Sequence, residues 1–558
     1  MIYCIVHMLR NLRNPWLIVS VLLGLIQVWV GRFLMSGDGI SYLDMGQAYL
    51  RGDWHTAING FWNPLYAWLQ AIGYVVFRPS PYWEYPVVQL VNFGIFVTTA
   101  CAFEYFLIPL VRGRDDETGL RFIAYALFLW SSLQLIGVFS VNPDMLLAGA
   151  TYAAFGILAR DANKWSPLAL ALSLVWGYYA KAFFFPVAAM ILVSGLAVLS
   201  RRRQIWMASA IFAVICCPLV IALSLHTGHL TIGDTGRLNY AWFVNHVESR
   251  LWQGGPPRSG RPVHPPRILL DSPRVYEFDG VFPVSNPVWY DESYWYQGLK
   301  VWVEPRDFAR VVRRNVQGIA KVLILQSSGF LIGGLLAFLL RRLKPLRLPS
   351  TPFLLAWGVS VASIMLLCAV HVETRYIASF VTIIFLIPFA CFRICRTSFG
   401  IAIAVMGLVS AAWFTSLRPW QGSGNDPFLT TPENEQWILA TSMEHLGLVP
   451  GDKFATVCCD GSVSMKWAHL VHMHLVACFD WDSNFWQLRE EDQRRVLAAL
   501  DSTPAKVAVS EIPPPDPERA AGWQRVGLTR YYIHVLSSGR QQVARNQTPV
   551  AATDLNVK

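Results

Sequence analysis

The sequence predicts a polytopic α-helical membrane protein with a small α/β domain at its C-terminal end, on three observations. The 558 residues are 54% hydrophobic and only 15% charged, where a soluble chain carries roughly a quarter charged residues. Apolar runs long enough to cross a bilayer, about 20 residues each, recur from Pro15 to Thr415. Lys and Arg gather in short clusters in every second gap between those runs, which is how orientation signals are distributed in membrane proteins.

Spans fall at residues 15–35, 86–111, 121–140, 144–159, 204–226, 315–340, 351–370, 376–392 and 399–415. The apolar run 166–200 is too long for one span; Lys181 interrupts it and Pro186 follows, which predicts two spans meeting near the lysine. The total is about eleven. The basic gaps hold Arg10 and Arg13, Arg112 and Arg114, Arg160 and Lys164, Arg201 to Arg203, Arg341, Arg342 and Lys344, and Arg393 and Arg396. The positive-inside rule places them in the cytoplasm, with the N-terminus inside and the C-terminus outside. No small-residue cleavage site follows the first run, so it reads as an uncleaved signal anchor.

Residues 1–416 then form the membrane domain, with large outer loops at 36–85 and 227–314. In the first loop, 40–50 and 65–77 have the pattern of amphipathic helices lying on the membrane surface. The second is rich in Pro, Gly, Trp and Tyr, which predicts an irregular loop packed by its own side chains. Residues 417–539 alternate helix (433–446), strand (454–458), strand (475–479), helix (485–500), strand (505–510) and hairpin (523–535), the pattern of an extracytoplasmic α/β domain. The polar tail 540–558 reads as disordered.

The net charge of +10 is no nucleic-acid footprint, since Lys and Arg sit in short clusters between apolar runs. The ten cysteines show no metal-ligand spacing. Cys4, Cys101, Cys216, Cys217, Cys368, Cys391 and Cys395 read as small buried hydrophobes. A disulfide from Cys478 to Cys458 or Cys459 stays open if that part lies outside. His469, His472 and His474 alternate in a strand context without a carboxylate set, as ordinary surface or core histidines do.

Chemistry-bearing residues collect on the outer side. Ser36-Gly37-Asp38-Gly39 follows the first span, and the loop runs on through Asp44 and Asp53 to Trp62-Asn63-Pro64-Leu65-Tyr66. An acid kept beside a bilayer is a functional-site candidate. Nucleotide-activated donors are absent outside the cell, and the chain has no phosphate-cradling loop or dinucleotide fingerprint. A donor for group transfer there must arrive through the bilayer, and a lipid-linked phosphosugar meets that need.

These residues, with Asn142-Pro143-Asp144, Tyr179-Ala180-Lys181 and Glu373-Thr374-Arg375-Tyr376 following in order, resemble the GT-C glycosyltransferases. The types they are most similar to are the bacterial relatives of the protein O-mannosyltransferases and aminoarabinose (lipid A) transferases. The resemblance covers roughly Pro15 to Phe392 and the plan of membrane domain followed by soluble domain. It implies a GT-C-like fold and sugar transfer from a polyprenyl-phosphate donor to a lipid, glycan or protein acceptor, with inversion at the anomeric carbon. Asp38 would be the general base, Lys181, Arg375 and His371 would hold or frame the donor phosphate, and Asp44, Asp144 and Glu373 would support them. Trp62, Tyr66, Tyr240 and Trp289 are candidate substrate contacts. Gly39 stands where many relatives carry a second acid, and Asn63-Pro64-Leu65 where they carry His-Pro-Pro.

Blander roles stay open for several of these residues. Ser36 and Asp38 are good helix caps, Asp144 could cap the helix after Pro143, and Lys181 could snorkel to the interface. Arg375 could pair structurally with Glu373 or Asp144. The sequence calls for no cofactor, and a single acid in the first loop gives no convincing divalent-metal site. The expected location is a bacterial inner membrane with the site facing the periplasm or cell exterior. The rival class is a non-catalytic transporter of lipid-linked glycans or an assembly scaffold, although polar residues collect at one face and no half-to-half repeat is visible. An inactive relative of the transferases is a third option, on account of Gly39.

Overall fold

The computed structural model describes residues 14–196, 201–249, 251–278, 280–346, 348–416, 435–457, 461–480, 483–516, 519–527 and 529–540. The candidate disulfide partners Cys458 and Cys459, the basic cluster Arg10 and Arg13, and the tail beyond 540 lie outside these residues; Cys478 is buried in the sheet described below.

Helices α1 (Pro15–Val30), α2 (Gly37–Arg51) and α3 (Pro64–Phe77) open the chain. Each start has a physical reason. Asn14 accepts the Trp16 amide with Pro15 at the first helical position, Ser36 accepts the Gly39 amide, and Pro64 opens α3. Gly52, at φ 70°, closes α2 in the left-handed conformation. There follow α4 (Glu84–Val111), α5 (Glu117–Leu129, wound on more widely to Ile136), α6 (Asp144–Leu158), α7 (Ser166–Ala180), α8 (Phe184–Gly195), α9 (Arg202–Thr227) and α10 (Thr235–Phe243). Beyond the long loop come α11 (Pro305–Gln326), α12 (Ser328–Leu339), α13 (Thr351–Cys368), α14 (Thr374–Ala390) and α15 (Thr397–Ser416).

Among the described residues five helices are long and apolar enough to cross a membrane: α4, α5 with its extension, α9, α13 and α15. The pair α11 and α12, bent by 62° at Ser327, makes a sixth if it is one span; α1, α3, α6, α8 and α14 are shorter apolar helices. The chain is a multi-pass membrane protein. The sequence-based count of about eleven is not reached by length and composition, because α1, α6, α7, α8 and α14 have only 16, 15, 15, 12 and 17 residues. Residues 315–340, expected as one straight span, are instead the bent pair.

Charge-bearing gaps separate to opposite ends of the helices. Strands β3 (Leu343–Pro345) and β4 (Phe392–Ile394) pair antiparallel, and Arg114 donates to the carbonyls of Ala390 and Phe392 at 2.8 and 2.7 Å. Three basic gaps thus meet at the Val111 end of α4. Cys217, expected to be buried, is exposed on α9.

The C-terminal segment supplies α16 (Glu435–His445), α17 (Gly461–Leu470) and α18 (Glu490–Asp501) around a seven-stranded sheet. Its order is β1 (Arg267–Asp271), β2 (Arg274–Glu277), β6 (His474–Phe479), β5 (Lys453–Thr456), β7 (Val507–Ser510), β9 (Tyr532–Val535), β8 (Gln524–Arg525). β6, β5 and β7 run parallel and the flanking strands antiparallel. Two expectations are corrected here. The loop 227–314 is not wholly irregular, since it contributes the β1–β2 hairpin to this sheet. His469 lies on helix α17 rather than in a strand.

A buried ion cluster fastens this domain to α2 and α4. His469, with no side-chain exposure, places Nδ1 2.6 Å from Asp44 of α2 and Nε2 2.7 Å from Glu84 of α4. Asp44 also accepts the Ser285 amide at 2.8 Å, and the Tyr85 hydroxyl donates to the Lys466 carbonyl. Burial alone would lower the His469 pKa, but the carboxylates of Glu84 and Asp44 outweigh it and push it up to about 10.

Candidate active site

Four segments far apart in sequence converge at the end of the bundle opposite the basic gaps. Asp38 sits in the first turn of α2, Asp144 opens α6, Lys181 occupies the break between α7 and α8, and Glu373 and Arg375 open α14. The Lys181 ammonium lies 2.7 Å from Asp144 Oδ1. Arg375 reaches three carboxylates: Glu373 at 2.6 Å, Asp38 at 3.3 Å and Asp144 at 3.5 Å. Asp144 is 1% exposed and Asp38 26%, so one acid is sealed against the cations and the other opens outward.

The alternatives left by the sequence divide accordingly. Ser36, not Asp38, supplies the cap of α2, which leaves the Asp38 carboxylate for Arg375. Lys181 does not snorkel away; it is held by Asp144 and stands 3.5 Å above the Tyr376 ring. The pairs Arg375–Glu373 and Arg375–Asp144 both form, together with Arg375–Asp38. Burial lowers the Lys181 pKa, with Asp144 acting against it. Burial would raise the Glu373 carboxyl, yet its hydrogen bond to His371 and the Arg375 charge hold it well below the usual carboxylate range.

His371 lies 3.3 Å from Glu373 and is stacked on Phe243 of α10, ring centroids 3.9 Å apart. It therefore frames the cluster through Glu373. Asn63 Nδ2 donates to the Tyr178 carbonyl at 2.8 Å, which ties the Trp62-Asn63-Pro64 turn to the helix ending at Lys181.

The remaining candidates scatter. Trp62 stays beside the site: its ring centroid is 5.2 Å from that of Tyr42, and its buried indole N–H has no hydrogen-bond partner among the described residues. Tyr66, its ring 5.1 Å from that of Tyr42, is fully buried with its hydroxyl donating to Asn92 at 2.6 Å. Asp44 lies apart from these residues, in the His469 cluster. Trp289 packs inside the loop 227–314, lining a small cavity with Leu251, Trp295 and Tyr296. Tyr240 is partly exposed on α10, the helix that carries Phe243.

Tyr42 was not anticipated. It lies one helical turn beyond Asp38, on the same face. Burial, then the charges of Asp38 and Asp144, raise its hydroxyl pKa well above the ordinary tyrosine value. The i, i+4 spacing from Asp38 was the available signal. Gly39 also has a physical explanation: a Cβ there would come within 2.6 Å of Val141 Cγ1 and 2.8 Å of Val141 Cβ. The position of the second acid has no room for a side chain.

Among the described residues no group of three or more His, Cys, Asp or Glu side chains could hold a metal ion. The cations of Lys181 and Arg375 stand between the carboxylates instead. In chemical terms the cluster offers two positive charges for an anionic ligand and two partly exposed carboxylates, Glu373 at 39% and Asp38 at 26%, of which Asp38 is the more loosely held by Arg375.

No family model matches the chain, and no curated protein sequence matches it. Its structural neighbours include ArnT from Cupriavidus metallidurans in the apo state and bound to undecaprenyl phosphate. The two comparisons give 13% and 12% sequence identity and TM-scores of 0.40, over 94% of this chain and 99% of the ArnT chain.

Proposed function

We propose that this protein is a membrane glycosyltransferase that moves a sugar from a polyprenyl-phosphate donor to an acceptor at the extracytoplasmic face. The observation that carries the proposal is the convergence of Asp38, Lys181 and Arg375 on one cluster at one end of the bundle. Partly buried charges at a membrane face are costly and are retained for a task.

The residues divide the work. Lys181 supplies a point charge and Arg375 a planar fork to the donor phosphate. Glu373, at 2.6 Å, orients the fork. Asp38 holds the same guanidinium at the looser distance of 3.3 Å, so an arriving phosphate displaces it more easily than Glu373. Freed, Asp38 takes the proton of the acceptor O–H or N–H. The acceptor atom bonds to the anomeric carbon from the side opposite the phosphate, the bond from that carbon to the phosphate oxygen breaks, and polyprenyl phosphate leaves with the electron pair. Lys181 and Arg375 stabilise the charge that develops on it. Asp144, sealed between the two cations, keeps them together. The sugar and the acceptor are set by the surrounding aromatic side chains, Trp62 first among them.

The test is transfer of labelled sugar from polyprenyl phosphate in membranes holding the wild type or Asp38→Asn. Transfer by the wild type, reduced about 10²–10⁴-fold in the variant, supports the proposal. Full activity of the variant on a proven substrate overturns the role of Asp38.

A further inference from the structure

The geometry points to α11 as a docking face for anionic phospholipid headgroups, in the leaflet on the side of the Asp38 cluster. The helix carries Arg306, Arg310, Arg313, Arg314 and Lys321, all exposed. At roughly 100° per residue these five, with Gln317, fall within a sector about a quarter of the circumference wide. Its buried residues, Val311, Asn315 and Ile319, occupy the opposite side. The basic face thus points straight away from the bundle. Of the five cations only Arg310 has a carboxylate partner among the described residues, Asp307 at 2.6 Å.

The location makes this cluster unusual. Asn315 Nδ2 donates to the carbonyls of Cys368 and Val370 at 2.9 and 3.3 Å, which fixes α11 beside the chain that leads into His371 and Glu373. Basic clusters that orient membrane helices lie on the cytoplasmic side; this one is at the end holding the acids and cations of the site. Orientation does not explain it, and a ligand of opposite charge does.

The bend selects the ligand. α11 meets the apolar α12 at 62°. With α12 near the membrane normal, α11 descends by less than half its length, and its cations stay within a shallow layer at headgroup depth. Leu331, Ile332, Leu335 and Leu336 are exposed on α12 and offer acyl chains a surface directly beyond the bend. A cationic stripe followed by a lipid-facing apolar helix fits an anionic amphiphile in the bilayer better than a soluble partner.

The experiment places a photo-crosslinking side chain at Gln317, in the middle of the basic face, in the full-length protein. The protein is reconstituted in vesicles of equal parts phosphatidylcholine and phosphatidylglycerol. Capture of phosphatidylglycerol over phosphatidylcholine by at least about fivefold is expected, falling toward parity at high salt. Arg306→Gln, Arg313→Gln, Arg314→Gln and Lys321→Gln combined should abolish the excess, whereas the three Arg→Lys changes should keep it. Equal capture of the two lipids by the unaltered face, or an excess that survives loss of the charges, overturns the assignment, as does cross-linking to a second copy of the chain. Sugar transfer is not needed for any of these readings.

Discussion

Arg375 Nη2 stands 3.3 Å from Asp38 Oδ2 across 337 positions of sequence. The same guanidinium reaches Glu373 through Nε, so its planar fork spans two acids that a lysine ammonium could not hold together. Arg375→Lys should therefore lower sugar transfer about 10–100-fold with a raised KM for the donor. Steady-state kinetics with varied donor would check this, and an unchanged KM would remove Arg375 from phosphate binding.

Lys181→Met would leave a buried carboxylate with only its longer contact to Arg375, at 3.5 Å. Asp144 is 1% exposed and Lys181 is its short contact at 2.7 Å. Removing one partner of a buried pair costs about 3–5 kcal/mol, much of it from the charge left behind. Thermal unfolding in detergent should show this loss for Lys181→Met and a substantial recovery when Asp144→Asn is added. Activity should not return with stability, because the cation is still missing.

Gly39→Asp should destabilise the protein by about 1–3 kcal/mol instead of adding a second catalytic acid. The new Cβ meets the branched Val141 side chain, and its Cβ at 2.8 Å cannot swing away as a long side chain can. Unfolding midpoints of Gly39→Asp with and without Val141→Ala would check it, with partial rescue expected in the pair.

The His469 cluster makes a pH prediction with a definite sign. The folded pKa is raised to about 10 from 6.5, so the imidazolium contributes its full stability below pH 6.5. That contribution declines as pH rises between 6.5 and 10 and is gone above 10. Alkaline conditions should loosen the C-terminal domain from α2 and α4, seen as falling amide protection factors in Gly37–Arg51 once the intrinsic rise of exchange with pH is divided out. In His469→Gln the protection factors should be low already and nearly constant across that range.

Tyr66→Phe separates packing from recognition. Losing the 2.6 Å bond to buried Asn92 should cost about 1 kcal/mol of stability, with kinetic constants for both substrates unchanged. A raised KM would instead make Tyr66 part of the substrate site.

Much of the helical plan was legible because hydropathy and charge act locally. The break at Lys181 could be seen as a cation interrupting an apolar run, and the starts at Asp144 and Thr374 as acids and a threonine before apolar sequence. The α/β alternation after 435 was visible too, apart from α17. The ion cluster at Asp44 was not, since its partners His469 and Glu84 belong to distant segments and leave no periodic trace near residue 44. The β1–β2 hairpin was hidden for a similar reason: two short strands in a loop rich in proline and aromatics gain their stability from β6, far along the chain. The bend at Ser327 lies inside an apolar run with no proline to announce it. Of the site, the charged residues stood out by type, but which acid seals the cations and which stays open depends on burial that only the packed helices determine.

The β1–β2 hairpin also sets a timetable for biosynthesis. The hairpin is complete at Glu277, but β6, the strand it adds to, begins only at His474. At ribosomal rates of ~5–20 residues per second, that partner arrives roughly 10–40 s later. Through that interval the hairpin waits with one edge unpaired while α11 to α15 are inserted. Nascent chains stalled before His474 should therefore be the ones that engage holdase chaperones or aggregate, and chains extended beyond β6 should not.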